Sequence, residues 1–291
     1  MVQIVSYTTR LREQLNCIQS QFMSLLDSSV IKEFHNAPDS QLIFIGPGYY
    51  WGELNDEQKR LQMQLLKDYK SWLDHFVLLF NESPKSIRNE IQETNKFVSS
   101  WIERDSSWGI PASVTKAKDI LKDKLEVFYK LFGWLDGAGP HELVLIPDTN
   151  IFIADTDVSR FAKTVGQDKY TVVIVPTVLE ELDKLKMQNR TPDFLKKVER
   201  AIRWIKGLRQ QGNLTTGVTV NKSITLKAMA KEPDFRHTLS WLDYNIKDDR
   251  IIATSMELQR LYPTSIVTIV TTDINLQNKA DFANLPYLEP V

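Results

Sequence analysis

Three short runs of apolar, mostly β-branched residues constrain this chain more than any other feature. They are Leu143-Val144-Leu145-Ile146, Val172-Val173-Ile174-Val175 and Ile266-Val267-Thr268-Ile269-Val270. None alternates apolar with polar residues, so none has a face made for water. Such runs suit strands covered on both sides within a parallel sheet. Between them, apolar spacing predicts helices over roughly 177–187, 193–210 and 248–261. Strand–helix alternation of this kind implies an α/β fold, an α/β/α sandwich around a central parallel sheet, over residues 143–291.

The first half has a different periodicity. Leu11, Leu15, Ile18, Phe22 and Leu25 recur at four- and three-residue steps, as do Leu65, Tyr69, Trp72, Phe76 and Leu79. Both sets fall on one face of a helix. Ser83-Pro84 reads as a helix start, with Ser83 as cap and Pro84 as the first helical residue. Ile87, Ile91, Val98 and Ile102 give that third helix its apolar side. A fourth is expected from Ala112 to Phe132, ending near Gly133. Residues 1–135 therefore read as an all-α helical bundle. Residues 136–142, DGAGPHE, carry two glycines and a proline and read as a linker.

Composition narrows the chemistry. Of 291 residues, 42% are apolar and the net charge is −1, so two packed domains are affordable and any nucleic-acid contact needs a local basic patch. No run is long and apolar enough to span a bilayer. The opening MVQIVSYTTRLREQLN lacks the basic-then-apolar order of a secretory signal, so the expected location is cytoplasmic. A lone Cys17 and four scattered histidines (His35, His75, His141 and His237) do not suggest a zinc site of the usual kind.

Four acidic residues stand at equivalent places. Asp148 follows the first strand, Glu181 lies in the first turns of the next helix, Asp249 opens the helix 248–261, and Asp273 follows the last strand. In an open parallel sheet, loops at the carboxyl ends of strands converge, and residues distant in sequence meet there. Four carboxylates in one crevice repel each other unless cations neutralise them. Hard oxygen donors favour Mg²⁺ or Mn²⁺, and paired metals activate water for phosphodiester hydrolysis. Singly, each residue has a plainer reading: a cap or turn for the aspartates, and a solvated charge or a pair with Lys184 for Glu181.

The segments around these residues resemble the PIN domain family, almost throughout 143–291. LVLIPDTNIFI is similar to the family's first motif, with Asp148 as leading metal ligand and Asn150 as an associated polar residue. PTVLEELDKLK resembles the second, with its acidic ligand at Glu181. DDRIIAT resembles the third, with Asp249 as ligand and Asp248 beside it. IVTTDINLQNKA resembles the fourth, with Asp273 at the acidic position and Thr271 at the hydroxyl position. LEELDKLK and TTDxNLxxKA are closer to certain bacterial PIN domains than to the shorter VapC-type toxins. The resemblance implies a metal-dependent ribonuclease acting on single-stranded or structured RNA and leaving a 5′-phosphate and a 3′-hydroxyl.

Within that expectation, Asp148 anchors the metals, Glu181, Asp249 and Asp273 complete the shell, and Asn150 and Thr271 orient ligands or water. A basic stretch lies between the second and third motifs. There Lys196, Arg200 and Arg203 share a helical face and are the candidate phosphate contacts, although a solvated helix face explains them equally well. The aromatic run Gly46-Pro47-Gly48-Tyr49-Tyr50-Trp51 suits base stacking or, more simply, packing. Other readings stay open: DNA as substrate, a non-catalytic scaffold or RNA-binding module, pairing between copies, and a toxin or defence nuclease held by a protein inhibitor. A phosphoryl-accepting Asp148 fits less well, because the phosphatase pattern wants an aspartate where Asn150 stands.

Overall fold

The structure, a computed structural model, describes residues 5–34, 48–105, 109–137, 141–188 and 190–290. It divides into two compact units, Thr9–Leu135 and Asp136–Val291 together with Met1–Thr8.

The first unit is built on helices α1 (Tyr7–Asp27), α2 (Asp56–Leu78), α3 (Lys85–Glu103) and α4 (Val114–Asp136). Every member of the first two expected stripes is buried, from Leu11 to Leu25 and from Leu65 to Leu79. Trp72 stacks on Phe76 at 4.9 Å between centroids and meets Phe128 edge-on at 5.1 Å. Its indole N–H donates to the Leu11 carbonyl at 2.8 Å, so the largest core side chain of α2 also ties that helix to α1. A reciprocal capping box starts α2: Asn55 and Gln58 each accept the other's backbone N–H, with Asp56 and Glu57 in the first turn.

Three details depart from the sequence reading. Pro84 itself is the cap of α3, without a side-chain cap from Ser83. Gly133 lies inside α4, which runs on to Asp136, because surrounding helix formers outweigh one glycine. The unit is also not purely helical. Strands β1 (Ile31–Phe34) and β2 (Gly48–Trp51) pair antiparallel, with Ile31 opposite Trp51. Four-residue strands are too short to show a period, which is why they escaped notice. Of the aromatic run, Gly46 and Pro47 lie outside the described residues, Trp51 is buried and Tyr50 is exposed. Trp108 and His35 also lie outside them.

The second unit holds a six-stranded sheet. Its strands are β3 (Leu143–Pro147), β4 (Tyr170–Ile174), β5 (Val218–Asn221), β6 (Ile224–Ala228), β7 (Ile266–Val270) and β8 (Tyr287–Leu288), in the order β5-β6-β4-β3-β7-β8. Only the β5–β6 pair is antiparallel. Helices flank the sheet: α5 (Thr149–Ala154), α6 (Phe161–Val165), α7 (Pro176–Lys186), α8 (Pro192–Gln211), α9 (Lys247–Leu261) and α10 (Ile274–Phe282). The three long helices begin and end within a residue or two of their expected bounds. The β5–β6 hairpin and β8 were not foreseen. Their strands are short, and β5 carries Thr219 and Asn221 outward.

Every residue of β3 and β4 is buried, as two-sided coverage demands. The strand order fixes the site. After β3 the chain builds β4, β6 and β5 on one side, then returns to place β7 against the other side of β3. The order reverses between β3 and β7, and open α/β sheets form their crevice where this reversal occurs.

Candidate metal centre

Asp148 sits at that reversal. It leaves the carboxyl end of β3, and its backbone N–H still donates to Val270 of β7 at 3.0 Å. Its side chain caps α5 by accepting the Ile151 N–H at 2.9 Å. The other carboxylate oxygen accepts the hydroxyl of Thr271, which stands just past β7. Asp148 therefore caps a helix, as its plainer reading held, and also belongs to a buried polar cluster.

The cluster spans both strands. The Thr271 hydroxyl accepts the Asp273 backbone N–H at 2.9 Å, and Asp273 in turn caps α10 through the N–H of Asn275 at 2.8 Å. Burial lifts the Asp148 carboxyl above its ordinary range. Hydrogen bonds from Thr271 and from the backbone of Ile151 and Asn150 pull it back, while the negative charge of Asp273 adds to the lift. Asn150 lies in the first turn of α5, exposed, and contributes that backbone N–H.

Glu181 enters from α7, which follows β4. One of its oxygens accepts the hydroxyl of Thr149, the residue after Asp148, at 2.8 Å. The other is paired with Lys247, the first residue of α9. Asp249 lies two positions further along α9 and is buried. It accepts the backbone N–H of Asp243 at 2.9 Å and is paired with Lys279 of α10 at 2.6 Å. Lys279 also lies 3.5 Å from Asp248. The four acidic positions are thus linked around one edge of the sheet, through Thr271, Thr149, Lys247 and Lys279.

They are linked rather than merged. Among the described residues, no three His, Cys, Asp or Glu side chains form a group arranged to hold a metal ion. Asp148 and Asp273 feel each other's charge, whereas Glu181 and Asp249 each face a lysine. In kind, the donors are hard oxygens only, which suits Mg²⁺ or Mn²⁺, and two ammonium groups already supply positive charge there.

A second polar cluster braces the helices that carry Glu181 and Asp249. Arg250 reaches Glu180 of α7 and Glu232 of the loop after β6, each at 2.6 Å, and Thr177 donates to Glu232 at 2.8 Å. These pairs hold the Arg250 guanidinium above its ordinary pKa, the Glu232 hydrogen bond contributing most. Arg250 is consequently an ion-pair residue.

Sequence reasoning missed Thr149, Lys247, Lys279, Asp243 and Glu232. Lys279 stood inside the quoted fourth motif, six residues after Asp273, and its place in that motif was the available signal. Lys247 adjoined the third motif. Nothing in sequence marked Glu232, whose role depends on how the loop after β6 folds back.

The basic residues of α8 are exposed. Lys196 lies 3.7 Å from Asp193. Arg200 donates to the Ala154 carbonyl at the end of α5 at 3.3 Å, and Arg203 to the Glu199 carbonyl at 3.5 Å. Phe152 of α5 and Trp204 of α8 lie 6.1 Å apart. The face carrying Arg200 is therefore packed beside the helix that Asp148 caps.

The profile of a family described as PIN domain matches residues 145–289. The C-terminal half of the chain belongs to the PIN domain family. The chain is also similar to part of a human protein, Transcriptional protein SWT1, at 31% identity over 148 residues. That match covers 50% of this chain but 15% of the human protein. Among the described residues, no helix of the PIN domain or of the helical unit is long and apolar enough to cross a membrane.

Proposed function

We propose that the PIN domain is a divalent-cation-dependent ribonuclease that hydrolyses RNA phosphodiester bonds. The observation that carries this reading is Asp148: a carboxylate buried at the β3–β7 reversal, hydrogen-bonded by Thr271 and adjacent to Asp273. A buried carboxylate with a second one beside it is costly to keep ionised without a cation. Asp148, Glu181, Asp249 and Asp273 would hold Mg²⁺ or Mn²⁺, which supplies Lewis acidity toward the attacking water and the leaving oxygen.

The chain's own groups do the positioning. Thr271 fixes the Asp148 carboxylate by donating to one oxygen, and the Ile151 N–H fixes the other. Thr149 orients Glu181. Asn150, exposed at the start of α5, would meet substrate or water. Lys196, Arg200 and Arg203 offer positive charge for the RNA backbone along α8.

The test is cleavage of a fluorescent oligoribonucleotide with added Mn²⁺, comparing wild type with Asp148→Asn. Loss of cleavage in the variant is expected, and equal rates refute the assignment. One observation favours a second reading, a non-catalytic RNA-binding module: two of the four carboxylates are already neutralised by lysines. Paramagnetic relaxation of water by Mn²⁺ separates the two, since a module without a metal site leaves it at the value of free Mn²⁺.

A further inference from the structure

Two lysines occupy the acidic edge, and the reading above gives them no task. Lys279 lies 2.6 Å from Asp249, whose side chain is 3% exposed, and Lys247 is paired with Glu181, whose side chain is 22% exposed. One oxygen of Asp249 accepts the Asp243 N–H and the other faces Lys279, so losing that lysine would strand a buried negative charge, which is strongly destabilising. Both lysines come from helices that also carry the acidic motifs: Lys247 opens α9 just before Asp249, and Lys279 lies on α10, which Asp273 caps.

We propose that Lys247 and Lys279 are resident counter-ions of the acidic site, each holding one carboxylate until a divalent cation displaces it. The proposal rests on the metal-centre reading and adds its regulation. The charges match: two ammonium groups carry the same total charge as one divalent ion, so the exchange leaves the net charge of the edge unchanged. The geometry also permits it. The lysine side chains are 50% and 27% exposed, and a four-carbon stem lets a displaced ammonium swing into water at small cost. Cation affinity is then set by competition with the lysines, and the metal-free protein keeps its fold without relying on metal.

The test uses the full chain, its melting temperature in EDTA and in Mn²⁺, and Mn²⁺ affinity by electron spin resonance. Lys279→Met should lower the EDTA melting temperature by on the order of 5 °C, through the stranded Asp249. Mn²⁺ should restore most of that loss, and Mn²⁺ affinity should rise on the order of tenfold. Lys279→Arg, which keeps the charge, should stay within about twofold of wild type. Adding Asp249→Asn to Lys279→Met should recover the EDTA melting temperature and abolish the gain in affinity. A Lys279→Met protein with wild-type Mn²⁺ affinity, or with a stability deficit that Mn²⁺ does not repair, overturns the proposal. If that variant does not fold in EDTA, Lys247→Met at the more exposed pair carries the affinity test alone. Absence of Mn²⁺ binding in wild type and every variant refutes the metal centre itself, whereas binding that ignores both lysines refutes only the exchange.

Discussion

The helical unit and the PIN domain treat polar groups in opposite ways. The helical unit fills its centre with aromatic rings, and its buried Trp72 N–H ends on a backbone carbonyl of a neighbouring helix. Polarity there completes packing. The PIN domain buries Asp148 and Asp249 at the carboxyl edge of its sheet, where each must be balanced by a hydroxyl, a backbone N–H or a lysine. Polarity of that sort costs stability and is retained where chemistry needs it. A disturbance of the aromatic core should therefore register as lost stability, and one at Asp148 as lost chemistry.

The sharpest break between the two is expected at Asp148→Asn. RNA cleavage should fall by at least ~100-fold, because the central ligand is neutralised. The metal-free protein should be no less stable, since the substitution removes a carboxyl that burial already disfavours as an anion. The same lift sets the pH response. The folded protein holds that proton more tightly than the unfolded chain, so acidification through the raised pKa favours the fold at this residue while opposing cation binding. Cleavage should accordingly decline on the acid side, and pH–rate profiles in Mn²⁺ check it.

Trp72→Ala should show the reverse pattern. Losing this buried ring should cost about 3–5 kcal/mol in chemical denaturation. Protein that remains folded should cleave at the wild-type rate, and a large loss of turnover there would erase the contrast between the units.

A smaller effect is expected on α8. Reversing charge at both Arg200 and Arg203 should weaken RNA binding on the order of tenfold at low salt and flatten its salt dependence, by filter binding or anisotropy. Unchanged affinity would return this face to a solvated helix surface. Smallest of all, Asn55→Ala removes the capping box of α2 and should cost about 1 kcal/mol without touching Mn²⁺ affinity.

The contrast also explains what could be read from sequence. Helix stripes announce themselves by their period and two-sided strands by an unbroken apolar run, so Leu11 to Leu25 and Leu143 to Ile146 could be placed from sequence. The four acidic positions were visible because motif and strand end coincided. The β1–β2 ribbon and the β5–β6 hairpin were not, since four or five residues cannot establish a period. Lys247, Lys279 and Glu232 were hidden for a different reason. Their partners, Glu181, Asp249 and Arg250, lie on other elements, and only the folded sheet brings them within ion-pair distance.

Whether the acidic edge holds one shared cation is tested most directly by titrating Mn²⁺ into wild type, Asp148→Asn, Glu181→Gln, Asp249→Asn and Asp273→Asn, followed by electron spin resonance. Binding in wild type, with affinity lowered on the order of tenfold or more in each variant, is the expected result. Wild-type affinity in any two of the four would contradict it, because those side chains would then lie outside a common coordination shell.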